Sequence, residues 1–256
     1  MRSIVAMALI ALGAGSPHAQ AADLRVMSGG GAQAALQALT PQFQSATGNK
    51  VELTFAVVGE IQQKLMNGER ADVVVLPLPL LDAVEKAGAF HARSRTILGR
   101  IPIGVVVREG VEAPDISRPE AVRQALLDAH SVVFPDPGGT PTGKYLMGAF
   151  AQMGISEAMQ PKIVFRNAID GGVVLVRDGK ADLGLFLVTE VLPVKGVRLA
   201  GTLPPSLQGY VVYAAAVGAD GSSPEAASQF VKFLSQPGAR DKWTAAGFEV
   251  MPAGPP

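Results

Sequence analysis

Short apolar runs rich in β-branched residues alternate along this chain with segments of helical periodicity. The continuous run Asp72–Leu76 is typical of a strand that is buried on both faces, as strands of parallel sheets are. Further strands are predicted at Leu24–Met27, Val51–Phe55, Ile101–Val107, Ser131–Phe134, Lys162–Phe165, Leu183–Leu187 and Tyr210–Val217. This alternation predicts an α/β protein with largely parallel sheets.

Helical periodicity fills most of the gaps between these runs. Between the first two strands, Leu36, Leu39 and Phe43 recur at three- and four-residue spacing on one face. Helices are predicted at Ala32–Ser45, Leu80–Ala87, Pro119–Ala129, Lys144–Met153, Pro224–Ser235 and Ala239–Ala246, with shorter ones ending near Asn67 and Asp178.

Two stretches rich in glycine and proline predict crossovers between two lobes. They are Gly110–Pro119 and Gly201–Gly209. We therefore expect lobe I to comprise residues 22–109 and 208–256, and lobe II residues 110–207. Ligands of such sheets bind where strands hand over to helix N-termini, which predicts a ligand cleft between the lobes.

Residues 1–21 have the pattern of a secretory signal peptide. Arg2 is followed by the apolar run Ile4–Leu12 and by the small-residue cleavage signal Ala19-Gln20-Ala21. No later run of 18 apolar residues occurs, so no membrane span is expected after cleavage. Together with the absence of cysteine, this pattern predicts export to a bacterial periplasm.

Composition excludes several functional classes. Lys+Arg and Asp+Glu are balanced at 22 each, which argues against nucleic acid as the partner. A chain with no cysteine has no disulfide, no thiolate nucleophile and no Cys-ligated zinc. Only three histidines occur and no GxSxG motif is present, so neither a His-rich metal site nor a serine hydrolase is expected. We expect no cofactor and no metal.

Four loops between predicted strands and helices have few bulky side chains, so they can present their backbone N–H groups to a ligand. They are Ser28–Gly31, Val57–Gly59, Thr140–Gly143 and Ile169–Gly172. A glycine in any one of them can simply mark a tight turn, but four converging helix N-termini would form an anion pocket. The ligand-binding residues predicted from these loops are Ser28, Gly29, Gly30, Gly31, Val58, Gly59, Thr140, Thr142, Gly143, Lys144, Ile169 and Asp170.

The segment Gly138–Tyr145 nearly matches the phosphate-binding motif GxxxxGK[ST]. Its last position is Tyr145, which lacks the small hydroxyl that ligates Mg²⁺ in that motif. Contact with an anion is therefore expected from this loop, and nucleotide binding is not.

Several segments resemble the periplasmic molybdate-binding proteins of ABC transporters. The resemblance covers nearly all of the chain after the signal peptide. It is carried by Leu24–Leu36, FAVVGEIQQKLMNGERADVVVL, VVFPDPGGTPTGKY, DGKADLGLFLVTEV and the closing AAGFEV. It implies a two-lobed periplasmic solute-binding fold of type II, with two mixed sheets, helices and a cleft that closes over a small anion. It also implies an ABC permease as partner, and we expect a monomer.

The positions that hold the ligand in that family differ in this chain. The family places serine hydroxyls in the first two loops and a tyrosine in the last strand. The matching positions here are Gly31, Val58 or Gly59, and Leu187, which joins the predicted ligand-binding residues on this ground. Because a tetrahedral oxyanion would lose several hydroxyl donors, a small organic carboxylate is expected rather than molybdate.

The same resemblance extends to periplasmic aconitate isomerases, which leaves an enzymatic alternative open. Isomerisation of such a tricarboxylate is a 1,3-proton shift, which needs one acid/base group and several carboxylate anchors. The candidate anchors are Lys64, Lys144 and Arg166, and the candidate acid/base residues are Glu60 and Asp170.

Overall fold

The computed structural model describes residues 21–91, 94–166 and 172–250 as nine strands and ten α-helices. The strands are β1 (Asp23–Gly29), β2 (Lys50–Ala56), β3 (Val73–Pro77), β4 (Thr96–Arg108), β5 (Val132–Pro135), β6 (Ile163–Arg166), β7 (Leu183–Leu187), β8 (Val197–Thr202) and β9 (Tyr210–Val217). The helices are α1 (Gln33–Thr47), α2 (Val58–Met66), α3 (Leu78–Lys86), α4 (Pro119–Asp128), α5 (Pro141–Gln152), α6 (Ser156–Met159), α7 (Val173–Arg177), α8 (Val188–Val191), α9 (Pro224–Leu234) and α10 (Arg240–Ala245). The predicted signal peptide lies outside these residues, apart from Ala21.

Two mixed sheets share the strand β4. In the first sheet β1 pairs in parallel with β2 and β3, and β9 runs antiparallel between β3 and β4. In the second, β5 pairs in parallel with β6 and β7, and β4 runs antiparallel to β7 and β8. The predicted α/β class with two mixed sheets is confirmed.

The chain passes from one sheet to the other inside β4 itself. Residues Thr96–Pro102 pair with β9, whereas Ile103–Arg108 pair with β7 and β8. Strand β4 is 13 residues long, so the predicted crossover at Gly110–Pro119 lies after the chain has already changed sheets. The lobe boundaries at residues 109/110 and 207/208 stay predictions. Below, lobe I denotes the half built on β1–β3 and β9, and lobe II the half built on β5–β8.

The C-terminal helices return to lobe I. Helices α9 and α10 pack against α1, where Phe43 contacts Phe230 with ring centroids 4.9 Å apart. Trp243 is buried beside them and donates its indole N–H to the Leu234 carbonyl over 2.9 Å. This packing closes the core of lobe I around the first and last segments of the mature chain.

Two corrections to the predicted elements affect the cleft. Strand β8 was not predicted, because glycines at 196 and 201 interrupt its apolar pattern. Helix α5 begins at Pro141 rather than Lys144, since proline at the first helical position needs no hydrogen-bond acceptor for its missing N–H. Thr142 and Gly143 therefore lie within the first helical turn.

Candidate functional site

A small cavity of about 30 Å³ lies where the two lobes face each other. This volume has room for about two water molecules. Lobe I contributes loop, strand and helix residues to its wall: Gly30, Gly31, Ala56, Val57, Val58, Pro77, Val211 and Tyr213. Lobe II contributes Pro135, Thr140, Pro141, Thr142, Leu187 and Glu190. Three of the four predicted loops therefore meet here, together with the titratable side chains of Tyr213 and Glu190, which were not predicted.

Helix α5 points its N-terminus at the cavity. Thr140 is the N-cap residue, and its hydroxyl accepts a hydrogen bond from the Gly143 N–H over 3.1 Å. This bond uses one of the N–H groups that we expected to hold an anion. The N–H of Thr142 has no acceptor within the helix at this position, so it remains to face a ligand.

Helix α2 presents a second N-terminus from lobe I. Its N-cap residue is Val57, whose carbonyl accepts from the N–H groups of Glu60 and Ile61. The first-turn N–H groups of Val58 and Gly59 have no acceptor within the helix. A carboxylate at such a partly buried terminus gains up to about 2 kcal/mol from the helix dipole.

The two lobes touch beside this terminus. A Cβ atom added at Gly59 of α2 would lie 2.9 Å from the carbonyl oxygen of Gly139, in the loop before α5. Glycine at position 59 therefore permits a backbone-to-backbone approach that no larger residue would allow without a shift.

The loop after β1 is shaped by the hydroxyl of Tyr213. A Cβ atom at Gly31 would lie 2.8 Å from this oxygen, and one at Gly29 would lie 2.9 Å from it. Ser28 is fully buried within β1 and donates its hydroxyl to the Gly29 carbonyl over 3.0 Å, so it does not line the cavity.

Glu190 faces Tyr213 from the opposite lobe. It follows β7 on the short helix α8, and its carboxylate accepts a hydrogen bond from the Leu187 N–H over 3.3 Å. Burial raises the pKa of the Tyr213 hydroxyl well above its usual value, and the Glu190 carboxylate raises it further. Tyr213 is therefore a neutral hydrogen-bond donor at physiological pH.

The formal charge of the cavity wall bears on the kind of anion that can enter it. Among the described residues of the cavity wall, Glu190 carries the one formal charge, and it is negative. Placing like charges against each other costs several kcal/mol, and molybdate carries charge on every side. An organic carboxylate can direct its oxygens at the helix termini and its carbon skeleton at the apolar wall and Glu190.

Larger clefts flank the cavity on both sides. One, of about 780 Å³, is lined by Gln62, Gln63, Lys144 and the loop before α5, and the predicted acid/base residue Glu60 also lies there. The other, of about 240 Å³, shares Gly30 and Glu190 with the cavity. A ligand larger than two waters would extend from the cavity into one of these clefts.

The remaining predicted residues fall elsewhere. Lys64 lies near the end of α2 and pairs with Glu69 at 3.7 Å, and Arg166 is exposed at the end of β6; neither lines the cavity or its flanking clefts. Ile169 and Asp170 lie outside the described residues. In the described part of the chain no group of three or more His, Asp or Glu side chains is placed to hold a metal ion.

Tyr213 and Glu190 were missed for identifiable reasons. Tyr213 stands in β9 directly before three alanines, and one large polar ring beside small residues is a weak sign of a cavity. Glu190 follows Leu187 by three residues, which is the spacing of a helix-capping carboxylate. Neither signal shows that the two side chains meet across the cleft.

Comparison with known protein families identifies the family of this chain. Residues 24–249 match the family of bacterial extracellular solute-binding proteins. The chain belongs to this family. No helix among the described residues combines the length and the apolar character needed to cross a membrane.

Two curated relatives differ in function, since one is an isomerase and the other a binding protein. An aconitate isomerase from a Pseudomonas species is 31% identical over 238 residues, covering 91% of this chain and 89% of that protein. The molybdate-binding protein ModA of Escherichia coli K12 is 24% identical over 239 residues, covering 93% of each.

Solved structures agree on the fold. The periplasmic molybdate-binding protein of Azotobacter vinelandii superposes with a TM-score of 0.76 at 20% identity, covering 90% of this chain and 99% of that one. The sulfate-binding protein SubI of Mycobacterium tuberculosis H37Rv also gives 0.76, at 16% identity, covering 91% and 88%. The two-lobed solute-binding fold is therefore confirmed, and the identity of the ligand is a separate question.

Proposed function

We propose that this protein is exported and captures a small organic carboxylate in the cleft between its lobes. The observation that carries the proposal is the cavity wall, which combines two helix N-termini, an apolar surface and the Glu190 carboxylate. One carboxylate of the ligand sits on the N–H groups of Val58, Gly59 and Thr142. The remainder extends into the outer cleft, where Lys144 offers a positive charge.

Membership of the solute-binding family supports delivery of the ligand to an ABC permease. The signal-peptide pattern of residues 1–21 supports a periplasmic location, in which such a protein hands its ligand to a membrane partner.

A thermal-shift panel on the mature protein, beginning at Ala22, tests the capture. A ligand that binds only the folded state raises the melting temperature by mass action. At a ligand concentration of 100 times its Kd, it adds about 2.7 kcal/mol to the free energy of unfolding. We expect a rise with a carboxylate from a panel of acetate, succinate, citrate, cis-aconitate and trans-aconitate. Molybdate and sulfate should give little or none. A larger shift with either oxyanion than with every carboxylate would contradict the proposal.

Isomerisation of the bound carboxylate is a second candidate function. It is favoured by the 31% identity to an aconitate isomerase and by an acidic side chain in the cavity wall. Ultraviolet absorbance of a trans-aconitate solution tests it directly, because moving or reorienting the conjugated double bond changes the absorbance. If protein that binds trans-aconitate leaves the absorbance unchanged, capture without isomerisation is the function.

A further inference from the structure

Two titratable side chains from opposite lobes meet at the central cavity. Tyr213 comes from β9 in lobe I, and Glu190 comes from α8 in lobe II. Neither belongs to the loop motifs that suggested an anion site. Their meeting depends on the two sheets facing each other, so it exists only when the lobes are together.

The hydroxyl of Tyr213 is held in a defined position. Its side chain is 1% exposed, and its ring packs edge-on against Phe248 with centroids 5.9 Å apart. Gly29 and Gly31 leave the space that the hydroxyl occupies. Tyr213 lines the cavity, so its neutral hydroxyl can donate to a bound carboxylate.

The carboxylate of Glu190 is held from its own side of the cleft. The hydrogen bond from the Leu187 N–H fixes the side chain back over the end of β7. Glu190 and Tyr213 line the same small cavity, one from each lobe. Apolar neighbours, Val57, Leu187 and Val211, restrict water around the pair.

We propose that Glu190 is the base and Tyr213 the hydrogen-bond donor for a 1,3-proton shift on an unsaturated di- or tricarboxylate. This inference rests on the proposed capture of a small carboxylate. It assigns the acid/base role to residues other than Glu60 and Asp170, the candidates that the sequence suggested.

The step balances without an added reactant. Glu190 removes a proton from the CH₂ carbon next to the C=C bond, and the C–H electron pair enters the three-carbon allylic system. The negative charge spreads onto the adjoining carboxylate, where the Tyr213 O–H and the helix N–H groups stabilise it. Protonated Glu190 then returns the proton to the far carbon, the double bond moves by one position, and the Glu190 carboxylate is regenerated.

Glu190→Gln tests the assignment, because glutamine keeps the shape and the acceptor oxygen for the Leu187 N–H but cannot take up a proton. Proton NMR follows conversion of trans-aconitate, and calorimetry measures its binding. We expect conversion to fall by about 100-fold or more, the usual contribution of a general base, while affinity changes only a few-fold. Tyr213→Phe should lower conversion by a factor of about ten or more. Glu157→Gln, at an exposed position of α6 outside the cavity and its flanking clefts, is the matched control and should convert within about twofold of the parent.

The outcomes separate the inference from the proposed function. Parent protein that binds trans-aconitate without converting it overturns the inference and leaves capture intact. Conversion by Glu190→Gln at the parent rate overturns the role of Glu190. Parent protein that neither binds nor converts trans-aconitate also overturns the inference, and the thermal-shift panel then decides separately whether any carboxylate is captured.

Discussion

The pKa of the Tyr213 hydroxyl lies well above its usual value, and this shift links the site to the pH dependence of stability. This hydroxyl is neutral because burial and the Glu190 carboxylate both disfavour the phenolate. A tyrosine in the unfolded chain ionises near pH 10. Above that pH the folded protein holds one proton more than the unfolded chain, so the contribution of Tyr213 to stability is present below about pH 10 and is lost as the pH rises further.

We expect this effect in the free energy of unfolding above pH 10. This group alone should lower the free energy of unfolding by about 1.4 kcal/mol per pH unit above pH 10, and Tyr213→Phe should remove that slope. At pH 7 the same variant removes the hydroxyl that fills the space beside Gly29 and Gly31, and it should be destabilised by about 1 kcal/mol. Urea unfolding followed by the fluorescence of the single tryptophan, Trp243, measures both.

Tyr210→Phe is the control at pH 7, since it removes a hydroxyl from a ring that is 41% exposed. Its stability should stay within about 0.5 kcal/mol of the parent. If the free energy of unfolding falls equally with pH above pH 10 in the parent and in Tyr213→Phe, the burial of a neutral hydroxyl at this position is contradicted.

At the scale of elements, Gly59 at the start of α2 controls how closely the lobes approach. Gly59→Ala places a methyl group 2.9 Å from the Gly139 carbonyl oxygen, so the closed arrangement must shift. Overpacking of this kind costs about 1–3 kcal/mol, which predicts a roughly tenfold or greater loss of carboxylate affinity by calorimetry. The fold itself should not weaken, because alanine is the better helix former by up to about 1 kcal/mol.

Gly148→Ala makes the same change in the middle of α5. A Cβ atom there meets nothing within 4 Å, so affinity should equal that of the parent. Equal affinities for both variants would show that the lobes do not need this contact to hold the ligand.

Elements with strong local patterns were predictable, and those that depend on distant neighbours were not. Strands β7 and β9 have the bounds that their apolar runs predict, Leu183–Leu187 and Tyr210–Val217. Helix α8, with four residues, is too short for any periodicity to reveal. The helix N-termini that line the cavity could be predicted because they follow glycine-rich loops, and their binding of an anion stays a prediction. The placement of Glu190 and Tyr213 in one cavity could not be predicted, because it brings together residues of two sheets.

At the scale of the whole molecule, two connections join the lobes within the described part of the chain. Strand β4 crosses once between the sheets, and the segment 203–209 between β8 and β9 returns. Tyr145 of α5 lies against this return segment: its hydroxyl donates to the Leu207 carbonyl over 3.1 Å, and its ring covers Gly209. We predict that these two connections act as a hinge, that the lobes separate without ligand, and that a ligand contacting both lobes favours the closed form.

The last prediction is a ligand-dependent compaction. A globular chain of roughly 235 residues has a radius of gyration of about 17–18 Å when compact, and separated lobes give a larger value. Small-angle scattering of the mature parent should show a larger radius without ligand and a decrease toward the compact value at saturating carboxylate. Gly59→Ala should retain a larger radius at the same ligand saturation, since its methyl group meets Gly139 before closure is complete. A radius that stays constant in the parent while calorimetry reports full binding would mean that the cleft is rigid, and the ligand would then have to enter through the flanking clefts without lobe movement.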